Sequence, residues 1–338
     1  MTMNEKINGE IRLKLQNART ILIVSHVRPD GDAVGSLLGL GLPLQEVGKQ
    51  VTMVLSDGVP LSFRQLPGAN QVLKKAPGEP VDLAIVVDCS DLLRTGTALG
   101  GRAPDINIDH HVTNLNFAAT NLVCPDAQAT CGILAENLEA WGLPVSEKTA
   151  KSLLTGLVTD TIGFRTSNVT ADTLRLAAWL MDRGANLADL YNRAIIRRTF
   201  EAAQYWGQGL SHLQRSGRLV WATLSLKDRE IASYKGNDDA DLVNVISAID
   251  ESDIGLVFIE QPNNRVKVSW RAQPGWDVSQ IALQFGGGGH PAAAGADITG
   301  TFEEVQSRVL NATRLILASG ENGKNGHIVN ESKTSIAG

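Results

Sequence analysis

Four short runs of this chain place aspartate or histidine where a strand or helix pattern stops. The first is His26-Val27-Arg28-Pro29-Asp30-Gly31-Asp32, after the apolar stretch at 20–25. The second is Asp88, directly after Ala84-Ile85-Val86-Val87. The third is Asp109-His110-His111, after Ile106-Asn107-Ile108, and the fourth is Asp160, at the end of a helical pattern through Leu153 and Leu157. Each has a plain structural reading by itself. Asp32 caps the following helix, Asp30 sets a turn, and Asp88 reads equally well as a cap. Capping does not explain a histidine and two aspartates at one strand end, nor two adjacent histidines beside an aspartate. Asp160 would sit at a helix C-terminus, where negative charge is disfavoured unless a cation is near.

The chemistry these residue types suggest is metal binding. Ligands of open α/β sheets lie beyond the carboxyl ends of the strands, the edge on which three of the four runs fall. Asp30, Asp32, Asp88 and Asp160 in one pocket would repel one another and raise each other's pKa. Two divalent cations would balance them. Carboxylates with imidazoles suit Mn, Mg or Fe better than a thiolate-seeking metal. Two such ions roughly 3.5–4 Å apart form a clamp for in-line displacement at phosphorus. Of His110 and His111, one reads as a ligand and the other as facing substrate, with Asp109 orienting an imidazole from behind.

Later in the chain, Gly286-Gly287-Gly288-Gly289-His290-Pro291 stands between an apolar helical pattern and a run of small residues. Successive glycines let backbone amides approach an anion, so the run reads as a phosphate or carboxylate cradle with His290 beside it. Arg271 falls near the end of a strand pattern and taken alone reads as an exposed structural arginine. His212 and His327 carry no such pattern. Cys89, Cys124 and Cys131 form no paired framework and read as buried free thiols.

The elements that must position these groups alternate. Strand patterns at 20–25, 50–55, 82–87, 105–108 and 121–124 are interleaved with or followed by helical patterns at about 33–47, 129–141, 147–161 and 171–183. That alternation implies parallel pairing in an open α/β sheet. From Arg218 the pattern changes to strands at 218–224, 254–261 and 265–272, with helices at about 238–249, 278–285 and 302–318. The expected organisation is a metal-binding α/β domain over 1–190, a helical linker over 191–215 and a smaller α/β domain over 216–318. The polar, glycine-rich tail 319–338 reads as disordered. A length of 338 residues accommodates two such domains, and a net charge of −5 argues against tight, non-specific binding to long nucleic acid. No apolar run is long enough to span a membrane and the first residues lack a signal-peptide core, so the expected location is the cytoplasm.

Taken in order, the four runs and the glycine run resemble the DHH phosphoesterases with their DHH-associated C-terminal domain, over about 17–317. The segment of His26, Asp30 and Asp32 resembles the family's first motif, Asp88 the second, Asp109-His110-His111 the third and Asp160 the fourth; Gly286–His290 resembles the C-terminal signature. Within the family the chain resembles the short stand-alone type that degrades very short oligoribonucleotides and dephosphorylates pAp (adenosine 3′,5′-bisphosphate). The resemblance implies two Mn ions, with Mg, Co or Fe as alternatives. One would be held by His26, Asp30 and Asp88, the other by Asp32, Asp88, His110 and Asp160, with Asp88 bridging. It implies His111, with Asp88 and Asp109, in catalysis at the scissile phosphate. Arg271, Gly287, Gly288, Gly289 and His290 would hold substrate from the second domain, in a cleft between the two. The expected partners are short RNA or small nucleotides, with no membrane, no stable long-DNA partner and a homodimer compatible with the reading. A soluble phosphodiesterase of pApA or related dinucleotides is the nearest alternative; a nucleotide- or RNA-binding module without turnover is the alternative from another class.

Overall fold

The computed structural model describes residues 3–327, and the chain divides after Arg197 into two compact units, each with its own core. The first unit opens with helix α1 (Met3–Asn17), which buries Ile11 and Leu15. The sequence reading assigns no element there, because charged residues dilute the apolar face. Strands β1 (Thr20–Val24), β2 (Gln50–Val54), β3 (Leu83–Val87), β4 (Ile106–Asp109) and β5 (Thr120–Val123) follow. All neighbouring pairs are parallel, in the order β2-β1-β3-β4-β5. β3 is buried at every residue, as expected for a central parallel strand covered on both faces. The chain runs from β1 outward to β2, then returns to the far side of β1 as β3. The carboxyl ends of β1 and β3 therefore flank the point where strand order reverses, the usual place for a ligand in an open α/β sheet.

Helix α2 (Gly31–Glu46) connects β1 to β2, and α3 (Thr130–Asn137), α4 (Glu147–Asp160), α5 (Ala171–Asp182) and α6 (Leu187–Tyr191) follow the sheet. α2 and α4 run antiparallel in close contact: Gly31 meets Thr159, Gly35 meets Ser152 and Gly156, and Gly39 meets Leu153. A Cβ on Gly35 would lie 2.6 Å from the Ser152 carbonyl oxygen. This approach brings the last residue of α4, Asp160, to the first turn of α2.

The second unit begins with α7 (Phe200–Ser211), followed by β6 (Gln214–Ser216), β7 (Leu219–Leu224), α8 (Leu226–Ile231), α9 (Leu242–Ile246), β8 (Ile254–Gln261), β9 (Arg265–Ala272), α10 (Ser279–Gln284), β10 (Gly288–His290), β11 (Ala293–Thr299) and α11 (Phe302–His327). The sheet order is β10-β11-β9-β8-β7-β6, with only β7 and β8 parallel. One face packs Leu256, Phe258, Val268 and Trp270 with Val305 and Val309 of α11; the other packs Val257 and Ile259 with Tyr205 of α7.

Two stretches differ from the sequence reading. Within 191–215, the segment Phe200–Ser211 is a helix packed on the second unit's core through Ala202 and Tyr205. Helix α11 continues past residue 318 to His327; the remainder of the tail, 328–338, lies outside the described residues. Among the described residues no helix is long and apolar enough to cross a membrane.

Candidate metal centre

The loop after β1 and the start of α2 carry the first group. Asp30, not Asp32, is the helix cap: its Oδ1 accepts from the Asp32 and Ala33 amides at 3.1 and 3.0 Å. Asp32 sits in the first turn of α2 and is buried. Its Oδ2 accepts the Thr130 amide at 2.7 Å and its Oδ1 the Cys131 amide at 3.0 Å. Those two amides open α3 and would otherwise be orphan donors. Gly156 leaves the space Asp32 occupies, since a Cβ there would lie 2.6 Å from Asp32 Oδ1.

Asp88 lies at the carboxyl end of β3 with φ of 52°, a left-handed backbone that turns its side chain out of the strand. It is buried, and its two oxygens face different histidines: Oδ2 lies 3.6 Å from His26 Nε2 and Oδ1 lies 3.7 Å from His110 Nε2. Asp30 Oδ2 approaches His26 Nε2 at 3.9 Å. Around His110 Nε2 stand Asp160 Oδ2 at 3.5 Å and Asp32 Oδ2 at 3.9 Å. The sequence-predicted ligands thus gather into two groups that share Asp88, namely His26-Asp30-Asp88 and Asp32-Asp88-His110 with Asp160 beside it.

The ring nitrogens decide what this arrangement can hold. His26 Nδ1 is 2.8 Å from the Val27 carbonyl oxygen and His110 Nδ1 is 3.3 Å from that of Ala127. A carbonyl only accepts, so each Nδ1 bears a hydrogen and Nε2 is the nitrogen each ring turns toward the carboxylates. The gaps of 3.5–3.9 Å exceed a direct hydrogen bond. Burial alone would lower both rings, but the surrounding carboxylates outweigh it and raise His26 and His110 above the ordinary imidazole range, so the site draws positive charge to each Nε2, as a proton or as a bound cation. The donor set, carboxylate oxygen with imidazole nitrogen and no thiolate, fits divalent cations of the Mn or Mg kind.

The electrostatics agree. Burial, then the charge of Asp88, pushes Asp32 up to about 7. Burial, then Asp32, Asp30 and Asp88, raises Asp160 well above the ordinary carboxylate range. Burial alone would raise Asp88 too, but the His26 contact and the charges of His111, His26 and His110 outweigh it and hold that carboxyl down. One carboxylate held ionised by three imidazoles, beside two that resist ionising, is a centre short of positive charge.

Matches to known families agree with this geometry. Residues 20–157 match the DHH family N-terminal domain and residues 231–318 match the DHHA1 domain. The bifunctional oligoribonuclease and PAP phosphatase NrnA of Thermus thermophilus is 36% identical over 305 residues, covering 87% of this chain and 89% of that protein. The chain belongs to the DHH family. The protein of the same description from Bacillus subtilis is 26% identical, covering 82% of this chain and 89% of its own. The fold is also that of an exopolyphosphatase-related protein from Bacteroides fragilis, with a TM-score of 0.84 at 23% identity, over 93% of this chain and 96% of that one.

In this DHH protein the third motif divides its labour. His110 faces the carboxylates. His111 Nδ1 donates to Asp109 Oδ1 at 2.7 Å, and Asp109 Oδ2 accepts from Asn114 Nδ2 at 2.6 Å. Asn114 also donates to Asn107 Oδ1 at 2.8 Å. Asp109 is wholly buried, with one oxygen engaged by His111 and the other by Asn114. Asn114 and Thr130 escape the sequence reading. Neither type signals a site, and each reaches its partner only through the fold.

The expected substrate residues lie in the second unit. Arg271 pairs across the sheet with Ala293, and Ala293 with His290, so Arg271 and His290 occupy one row on one face. Arg271 is half-buried, not an exposed arginine: its Nε donates to Asn244 Oδ1 at 2.8 Å and its Nη1 to the Trp270 carbonyl at 2.9 Å. The glycine run is not an open nest of amides. Gly286, at φ of 76°, ends α10, and the Gly286 and Gly287 amides donate to the Leu283 and Ala282 carbonyls. Gly288–His290 form β10 against β11. Side chains at 287 and 289 would overlap the β11 backbone, whereas one on Gly288 would meet open space. The sheet thus requires 287 and 289 as glycine; it makes no such demand at 288.

Proposed function

We propose that this chain is a metal-dependent phosphoesterase that hydrolyses short oligoribonucleotides to mononucleotides and pAp to AMP. The observation that carries the reading is the pair of buried histidines whose Nε2 atoms converge on carboxylates sharing Asp88. Relatives described as bifunctional oligoribonuclease and PAP phosphatase, matched over most of their length, support the substrate class.

His26, Asp30 and Asp88 would hold one divalent cation and Asp32, Asp88, His110 and Asp160 the second, with Mn preferred. Bound there, such ions lower the pKa of water and stabilise charge on phosphoryl oxygens. The chain's own residues do the rest. Asp109, tied by Asn114, holds the His111 ring through Nδ1. Burial would lower that ring, but the hydrogen bond and charge of Asp109, with the charge of Asp88, outweigh it and raise His111, so that a protonated Nε2 would donate to a phosphoryl oxygen and steady its developing charge. Arg271, held by Asn244, would pair with a substrate phosphate, as a guanidinium does. Gly287, Gly288, Gly289 and His290 would approach substrate along the short β10 strand, with Gly288 the position where backbone could come closest.

The test is hydrolysis of pAp, pApA and an RNA length series from the dinucleotide upward, with Mn²⁺ and with EDTA. Mn²⁺-dependent loss of the shortest RNAs and of pAp is expected. Activity confined to pApA would move the protein to the dinucleotide branch. Tight binding of metal and RNA with no turnover would make it a binding module.

A further inference from the structure

We infer that Thr130 is the positioning residue of the His110 side of the centre, holding Asp32 and Asp88 together so that one oxygen of each converges on His110 Nε2. The inference rests on the metal reading above and assigns a role to a residue outside the family motifs.

Three carboxylate oxygens surround His110 Nε2: Asp160 Oδ2, Asp88 Oδ1 and Asp32 Oδ2. Thr130 holds two of them. Its amide donates to Asp32 Oδ2 at 2.7 Å and its hydroxyl donates to Asp88 Oδ1 at 3.0 Å. Thr130 is itself fully buried. The amide contact follows from its place in the first turn of α3, where a backbone donor needs an acceptor. The hydroxyl contact is what the side chain adds. A carboxylate joined to its backbone by two rotatable bonds can turn, and a partial turn of Asp88 would swing its oxygens away from His26 and His110. A buried donor on the oxygen of the His110 side fixes the carboxylate plane against that turn.

The hold is one-sided. Asp88 Oδ2 and Asp30 Oδ2, the oxygens that face His26, make no bond to Thr130. Loss of the hydroxyl should therefore loosen the Asp32-Asp88-His110 position more than the His26-Asp30-Asp88 position. Outer-shell donors of this kind typically change metal affinity about 10–100-fold.

The experiment is calorimetric titration of Mn²⁺ into the metal-stripped full chain, for wild type, Thr130→Val and Thr130→Ser, with kcat and KM on pAp in parallel. Val keeps the shape and the amide but removes the donor; Ser restores it. Wild type is expected to bind two ions. Val should weaken one of the two by about tenfold or more and lower kcat, while Ser retains both affinities. Should Val fail to fold, Thr130→Ala against Ser makes the same comparison. Unchanged binding in the variant lacking the hydroxyl, beside a wild type that binds two ions, would overturn the role of Thr130 alone. Equal weakening in Val and Ser would also overturn it, since a variant that keeps the hydroxyl would then fail as much as one that lacks it. A wild type that bound no Mn²⁺ would overturn this inference and the metal reading together.

Discussion

Asp88 is the residue on which both halves of the centre depend, and its left-handed backbone makes it open to a clean test. Asparagine tolerates that conformation and copies the shape but cannot supply a full negative charge to two cations. Asp88→Asn is expected to fold with a melting curve like wild type and to lose at least roughly 100-fold in kcat on pAp. Normal turnover in this variant would remove Asp88 from the mechanism. Asn114 makes the subtler case. Asn114→Ala removes the donor to Asp109 Oδ2 but leaves the Asp109 contact to His111, so kcat should fall by about tenfold with KM little changed. An equal rise in KM with constant kcat would mean that His111 contributes only to binding. The glycine run separates fold from function. Gly289→Ala forces φ of 145° on alanine and drives its Cβ into β11, and should destabilise the second unit by roughly 1–3 kcal/mol. Gly288→Ala should fold normally, and a raised KM for pAp there, measured beside the melting curve, would mark a contact with substrate.

At the level of elements, much of the site was legible because strand ends are legible. Apolar runs stop at His26, Asp88 and Asp109, and parallel strands place their ends along one edge. The partners that hold those groups were not legible. Thr130 reaches Asp32 across 98 positions and Asp88 across 42, and nothing in an Ala-Thr-Cys triplet announces that. Asp160 was readable as a misplaced charge at a helix end, but not the reason it arrives: the glycine face of α2. Asp30, read as setting a turn, takes the cap that the sequence assigns to Asp32, because two aspartates two residues apart look alike as cap candidates. β10 and β11 were hidden by composition, since glycine and alanine have poor strand propensity and gain it here from the register with β9. The close packing of α2 on α4 yields its own prediction. Gly35→Ala overpacks against Ser152 and should cost about 1–3 kcal/mol while parting Asp32 from Asp160. Denaturant unfolding and pAp turnover should fall together; a stable but inactive protein would show that the contact sets only the site.

For the whole molecule, the residues proposed to hold metal all belong to the first unit, and those proposed to meet the substrate from elsewhere belong to the second. A ligand that binds only the folded form stabilises it by mass action, by about 2.7 kcal/mol at 100 times Kd. Mn²⁺ should therefore slow hydrogen exchange in the loops after β1, β3 and β4 and in the first turn of α3. The core strands β8 and β9 should exchange as they do in EDTA. Uniform protection across both units would contradict a centre confined to the first.

The most direct test of the central claim is anomalous diffraction at the manganese edge from crystals grown with Mn²⁺. Two peaks are expected, one beside His26, Asp30 and Asp88 and one beside Asp32, His110 and Asp160, with Asp88 between them. A single peak, or peaks away from Asp88, would contradict a paired-cation centre built on that residue.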